Sequence, residues 1–123
     1  TPSAVRWWHA DAHSMGDVLP RGVFDLIIAN SVFEHLERPA VAMEQVVLLL
    51  KPGGTLFWHT PFIYPMHGVP RDYFRYSTAA AQLLSEDAGL VVEHCEADGG
   101  YAAVLGNVLG LSSKFWTLPE LLR

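Results

Sequence analysis

A single cysteine, Cys95, stands among 123 residues, so no disulfide can form within the chain. The fold must rest on its core, and the lone thiol suits a reducing compartment, the cytoplasm. Charge is scarce too. Only 17% of residues are charged and 50% are hydrophobic, where about a quarter charged is usual. Such a chain is either deeply packed or carries faces meant for a partner. The 8 Lys and Arg residues are scattered singly, and the net charge is -5. No basic stripe tracks a phosphate backbone, which argues against nucleic acid as a partner. Long apolar runs are missing. Val46 to Leu50 is far below the ~20 residues that cross a bilayer, so no membrane span is expected. No signal peptide, repeat or low-complexity segment is visible. An initiator Met is missing as well. The chain opens on Thr1, as expected of a piece of a longer protein.

What is present fits one domain, with a core burying roughly two-thirds of the unfolded surface. Strand and helix patterns alternate, which predicts an α/β domain with a largely parallel sheet. Val5 to Ala10 is rich in β-formers. Asp11 to Gly22 reads as a loop, broken by Gly16, Asp17, Pro20 and Gly22. Phe24 to Ala29 is apolar except for Asp25, as expected of a strand covered on both faces. Pro39 can open a helix at its first turn, where its missing N–H costs nothing. Met43, Val46, Val47 and Leu50 form that helix's core face, with Glu37, Glu44, Gln45 and Lys51 opposite. Pro52, Gly53 and Gly54 are expected to end it and turn the chain into a strand over Thr55 to Thr60.

Pro61 to Tyr76 has three prolines, five aromatics and no clean period. A long irregular loop in a compact domain is usually functional or disordered, and the aromatics argue against disorder. Ser77 or Thr78 can cap a helix to about Ala88, with Gly89 as its left-handed stop. Leu90 to Cys95 reads as a strand. Tyr101 to Leu111 has Ala102, Leu105, Val108 and Leu109 on one helical face. Thr117 and Glu120 have capping-box spacing.

No metal site is expected from spacing. His9 and His13 straddle a strand end rather than a helix face. His59 and His67 flank a loop, and His94 and Cys95 are adjacent, which suits no tetrahedral site. Cys95 lies in an apolar run, where an inert buried thiol is the ordinary case and a hydrolase nucleophile is not.

Several pieces then fall in one order. Asp11 follows the first strand pattern. Leu19-Pro20 and Phe24-Asp25 open the second. Glu34-His35 lies just past its carboxyl end, and Leu50 to Gly54 leads into the next strand. This order, over most of the chain to about Glu96, resembles a class I S-adenosylmethionine-dependent methyltransferase. The segment from His67 to Ser77 looks like the acceptor-side insertion of the type 11 subgroup. The resemblance implies a Rossmann-like methyltransferase sheet with helices on both faces. Residues 1–123 would be a partial domain, strands three to six of the family order plus a helical tail, truncated at its amino-terminal half. The family's Gly-rich cofactor loop is absent, as is the acidic residue that holds the ribose. Gly53-Gly54 does not substitute, because it precedes a strand instead of following one.

The resemblance also implies roles. S-adenosylmethionine would be the cofactor of the parent protein, with weak or no binding by this chain alone. Asp11 and Ala12 would face its adenine, and Asn30 and Ser31 its methionine end. In open α/β sheets, ligands bind beyond the carboxyl ends of strands, where these residues fall. Glu34 and His35 are the candidates for chemistry, because methyl transfer needs an oriented nucleophile and sometimes a base. His67, Asp72, Tyr73 and Arg75 would bind a small-molecule methyl acceptor. Each has a purely structural alternative: a turn cap for Asp11, Asn30, Ser31 or Glu34, packing for His35, an ion pair of Asp72 with Arg71 or Arg75. A second overall reading also stands, a catalytically silent module that folds and associates without cofactor. Removal of the central strands would leave Phe24 to Ala29 with an open edge, to be closed either by Val5 to Ala10 moving in beside it or by a partner chain. The high apolar fraction favours the partner, which predicts a homo-oligomer.

Overall fold

The structure, a computed structural model, describes residues 4–109. It is an α/β unit whose ordered centre is one strand–helix–strand crossover. Strand β1 (Phe24–Asn30) leads through a short 3-10 turn (Phe33–His35) into helix α1 (Pro39–Leu49) and back into strand β2 (Leu50–His59). The two strands pair in parallel as a two-stranded sheet. Helices α2 (Thr78–Asp87) and α3 (Gly100–Val108) follow. Among the described residues, no helix is long and apolar enough to cross a membrane.

The helices begin and end where local chemistry says they should. Pro39 sits in the first turn of α1. Ser77 caps α2, its hydroxyl accepting from the Ala80 N–H at 3.2 Å, and Gly89 follows with φ 91°. On α1, Ala42, Met43, Val46 and Leu49 are buried. Ala42, Met43 and Val46 meet Ala29, Phe33 and Leu50, while Ile27, Leu56, Trp58, Tyr76, Leu84 and Leu90 close the sides of this core. Another 3-10 turn (Met15–Asp17) docks on α1. There the Gly16 N–H donates to Gln45 Oε1 at 2.9 Å, so Gln45 faces the protein rather than solvent.

Three expectations change. The Lys51 to Gly54 stretch is no turn between helix and strand. Leu50 already pairs with Phe24, and pairing resumes at Leu26 with Thr55. The residues between bulge out of β2, because Pro52 cannot donate to a ladder and Gly53 takes φ 77°. A Cβ on Gly54 would lie 2.9 Å from the Phe24 carbonyl oxygen, so only glycine fits that crossing. Val5 to Ala10 and Leu90 to Cys95 form no strand. Their side chains favour β structure, but a strand exists only as a member of a ladder, and no described edge receives either segment. Finally, β1 is covered on one face only. Ile27 and Ala29 point to the core. Leu26 and Ile28 remain 53% and 63% exposed, beside an exposed Phe57. Thr117 and Glu120 lie outside the described residues, as does the end of the Tyr101 to Leu111 segment.

Candidate functional site

The site is built where β1 runs out. The Ser31 N–H donates to the His59 carbonyl at 2.8 Å, one residue beyond the strand. Ser31 then adopts φ 53°, a left-handed conformation that is uncommon for a non-glycine residue and turns the chain sharply. In the 3-10 turn that follows, Phe33 is buried and packs against Trp58 with ring centroids 4.8 Å apart. Anchoring Phe33 fixes its neighbours. Glu34 is driven to 0% exposure, and His35 sits beside it.

The loop between β2 and α2 closes over this turn through backbone bonds. Tyr73 and Phe74 N–H both donate to the Glu34 carbonyl, at 2.8 and 3.2 Å. The Tyr76 hydroxyl donates to the Phe33 carbonyl at 3.2 Å, and the Tyr73 hydroxyl to Glu37 Oε1 at 2.8 Å. His35 Nδ1 is bonded to the Arg71 carbonyl. Gly68, at φ 65°, lies flat on the His35 ring, where a Cβ would come within 2.9 Å of Cε1. The bond to Glu37 pushes the Tyr73 hydroxyl up from its ordinary value. Burial, helped by the negative Glu34, pushes Tyr76 up to about 12.

Asp72 and Arg75 hold the loop's own shape. Arg75 grips Asp72 with two prongs, Nη1 to Oδ1 at 2.6 Å and Nη2 to Oδ2 at 2.8 Å. Asp72 also accepts from the His67 N–H at 2.8 Å. Arg75 reaches the carbonyls of Phe74, Pro65 and Tyr64 at 2.8, 3.3 and 3.4 Å. The guanidinium holds the Asp72 carboxyl well below the usual carboxylate range, with the His67 N–H adding to it. Bidentate, charge-assisted contacts of this kind are the strong ones.

Three side chains meet at the centre. Glu34 Oε1 lies 3.7 Å from His35 Nε2 and 3.8 Å from His67 Nε2. The two imidazoles stand edge to face with centroids 4.7 Å apart, and Tyr64 stacks edge-on to His67 at 5.0 Å. Neither Glu34 oxygen has a hydrogen-bond partner among the described residues. The arrangement can transfer a proton or hold a cation.

The cofactor-side candidates sit apart from this cluster. Asp11 is exposed, and its Oδ1 accepts from the His13 N–H at 2.8 Å and meets His13 Nδ1 at 2.7 Å. Those bonds hold its carboxyl below the ordinary value. Its side chain is 67% exposed, so the second oxygen is accessible to an adenine amine. Asn30 Oδ1 is bonded to His59 Nδ1 at 3.1 Å. Ala12 lines an apolar cavity of about 160 Å³ with Met15, Ile27, Ala29, Val32 and Phe33. Small-molecule sites usually enclose roughly 300–1,000 Å³. The cavity among the described residues is smaller than that.

Sequence spacing brought Glu34, His35, Asp72 and Arg75 into view. It missed the Arg71 carbonyl, Gly68, Glu37 and Tyr76. It also missed the approach of His67 to Glu34, which only the loop's fold creates. The i, i+3 spacing of Asp72 and Arg75 was the available signal for the brace.

Comparison with known proteins agrees with the resemblance. Residues 1–58 match the family model described as a methyltransferase domain. Uncharacterized methyltransferases of Mycobacterium bovis and of two Mycobacterium tuberculosis strains are 38% identical over 52 residues. That stretch is 42% of this chain and 25% of each relative. No solved structure matches the chain. By the match over its first 58 residues, the amino-terminal part of the chain is similar to the methyltransferase domain family.

Proposed function

We propose that the protein this chain represents transfers a methyl group from S-adenosylmethionine to a small-molecule acceptor, and that the described residues supply the acceptor side of that site. One observation carries the reading. The aromatic loop folds over Glu34 and His35 at the carboxyl end of a parallel strand, where α/β domains bind ligands. The cofactor, when bound, supplies an electrophilic methyl carbon. Asp11 and Ala12 would meet its adenine, and Asn30 and Ser31 its methionine end.

The chain's own groups do the rest. Tyr64, Tyr73 and Phe74, each partly open to solvent, would wall the acceptor side. Asp72 and Arg75 act on the acceptor by fixing the loop that presents His67. His35 Nδ1 faces a carbonyl, so it carries a proton. In the neutral ring Nε2 then holds the lone pair that accepts a proton from a nucleophile. Glu34, buried beside it, would stabilise the resulting imidazolium. The family order further supports a Rossmann-like sheet completed by strands outside this chain. Exposed Leu26, Ile28 and Phe57 support association with another surface, a second copy of this chain first. The lone thiol supports a cytoplasmic setting.

The test is calorimetry with S-adenosylhomocysteine, on the 123-residue chain and on a longer protein carrying it with a Gly-rich cofactor loop. The longer protein should bind. The chain alone should bind several orders of magnitude more weakly, because hydrogen bonds to charged groups contribute about 1.5–3 kcal/mol each. No binding by the longer protein overturns the assignment, and micromolar binding by the chain alone overturns the division of the site.

A further inference from the structure

We propose that Glu34, His35 and His67 form a binding site for a divalent transition-metal ion of the zinc type. Their donor atoms all lie within 4.8 Å of one another, although His67 comes from a different segment. Spacing along the chain gave no reason to expect this group.

The first argument is the carboxylate. Glu34 is fully buried, and neither oxygen finds a hydrogen bond among the described residues. A buried carboxylate without a partner is strongly destabilising, and a coordinated cation is one of the few things that offsets it. Neutral Tyr76 and the ion-paired Asp72–Arg75 brace lie around it, and neither donates to it.

The second argument is the histidines. His35 Nδ1 faces the Arg71 carbonyl, and His67 Nδ1 faces the Pro65 carbonyl at 3.2 Å. A carbonyl only accepts, so each Nδ1 carries the ring proton. Arg75 Nη2 also approaches His67 Nδ1 but lies farther off, at 3.5 Å. Each Nε2 is then an unprotonated lone pair, and both are turned toward Glu34 Oε1. A ring whose far N–H is tied to a backbone carbonyl, with its near nitrogen toward the centre, is how metal-bound histidines are usually held.

The third argument is distance and donor type. Bonds of about 2.0–2.1 Å to a tetrahedral zinc place ligand atoms about 3.3–3.4 Å apart. The carboxylate oxygen lies 3.7 and 3.8 Å from the two Nε2 atoms, and all three donors lie within 4.8 Å. The carboxylate contacts therefore need a few tenths of an ångström of closure and the two imidazoles up to about 1.5 Å, within reach of side-chain rotation. Two imidazoles and one carboxylate select zinc, cobalt, nickel or iron over magnesium or calcium, which prefer all-oxygen shells. Three protein ligands leave one position for water or an acceptor oxygen. Gly68 flat on His35 and Tyr64 against His67 hold both rings in place.

This site goes beyond methyl transfer, and its test does not depend on it. Where both hold, Glu34 and His35 serve the reaction as ligands that orient an acceptor oxygen. Metal binding without methyl transfer leaves the site standing. Methyl transfer unaffected by chelation leaves only the base role.

The experiment titrates chelator-treated 123-residue chain with Zn²⁺ by calorimetry and with Co²⁺ by visible absorption. We expect one ion per chain, tetrahedral cobalt bands and a higher melting temperature with zinc. His67→Ala and Glu34→Gln should each weaken binding at least about tenfold, the lower range for disturbing a metal site. His67→Cys should keep cobalt binding and add a thiolate charge-transfer band, which separates ligation from misfolding. His94→Ala, far along the chain and paired among the described residues with exposed Glu96, should bind as the parent does. No binding at 100-fold ion excess, or equal binding by His67→Ala, overturns the site.

Discussion

The two faces of the β1–β2 pair come from one apolar run and end in opposite situations. Ile27, Ala29, Leu56 and Trp58 face α1 and join a core whose centre, Met43, is fully buried. Leu26, Ile28 and Phe57 alternate with them along the same strands and stay exposed. Residue type does not separate the faces. What separates them is that one crossover helix can cover only one side of a parallel pair. The covered face also reaches the candidate site: Trp58 holds Phe33, and Phe33 holds Glu34 in place. The bare face does no such work within the described residues, and its composition is that of a surface made to be covered.

The sharpest way to break this contrast is to truncate one side chain on each face. Phe33→Ala and Met43→Ala should each destabilise the chain by about 3–5 and 2–5 kcal/mol, read from denaturant midpoints. Ile28→Thr should cost less than about 0.5 kcal/mol in a monomer. If the bare face meets a second copy, Ile28→Thr lowers stability in a concentration-dependent way. Light scattering coupled to size exclusion then shows dissociation. Equal losses on both faces would show that the bare face is covered within the chain.

How much of this was legible in the sequence follows the same division. Helix α1 was legible because Pro39 and the period of Met43 and Val46 are local signals, and α2 because Ser77 and Gly89 are. The apolar run of β1 was legible as a strand but not as a one-sided strand, since cover is a property of neighbours. Val5 to Ala10 and Leu90 to Cys95 carry the same propensity and pair with nothing described. The bulge at Lys51 to Gly54 depends on where β1 lies, so its Gly-Gly pair looked like an ordinary turn. At the site, Glu34 and His35 were legible from their place after a strand. His67 was legible only as a loop residue, because its approach to Glu34 depends on Asp72 and Arg75 folding that loop.

That brace gives the next test, at the end of the covered face. Asp72→Ala removes both prongs of Arg75 and the acceptor of the His67 N–H. It leaves a half-buried guanidinium with carbonyl contacts alone. The loss should exceed that from breaking an exposed pair, because the charge left behind has no carboxylate partner. It should appear first as faster hydrogen exchange at Tyr73 and Phe74, whose N–H groups lie on the Glu34 carbonyl. The exposed Lys51–Asp25 pair, 2.7 Å apart, is the control. Asp25→Ala should cost no more than about 1 kcal/mol. Unchanged exchange at Tyr73 and Phe74 in Asp72→Ala would show that the loop is held by its aromatics instead.

The smallest effect is the most specific to the covered face, because it needs a tyrosine whose proton is held mainly by burial. Tyr76 stands edge-on to Trp58 with centroids 5.5 Å apart and donates to the Phe33 carbonyl. Burial raises it from 10.0 to about 12, and the Glu34 charge acts in the same direction. A raised value means that the folded state holds the proton more tightly than the unfolded chain does. The stability it contributes is therefore complete below pH 10 and is lost as pH climbs from 10 through 12. Denaturant midpoints should fall across that window in the parent chain. They should fall less in Tyr76→Phe, which starts about 1 kcal/mol lower at neutral pH for the lost hydrogen bond. Tyr73 is also raised, but by Glu37 at the surface, so its share is subtracted with Tyr73→Phe. Equal slopes in the parent and Tyr76→Phe would mean that water reaches the Trp58 side of the sheet, and the two faces would then differ less than the packing of Phe33 implies.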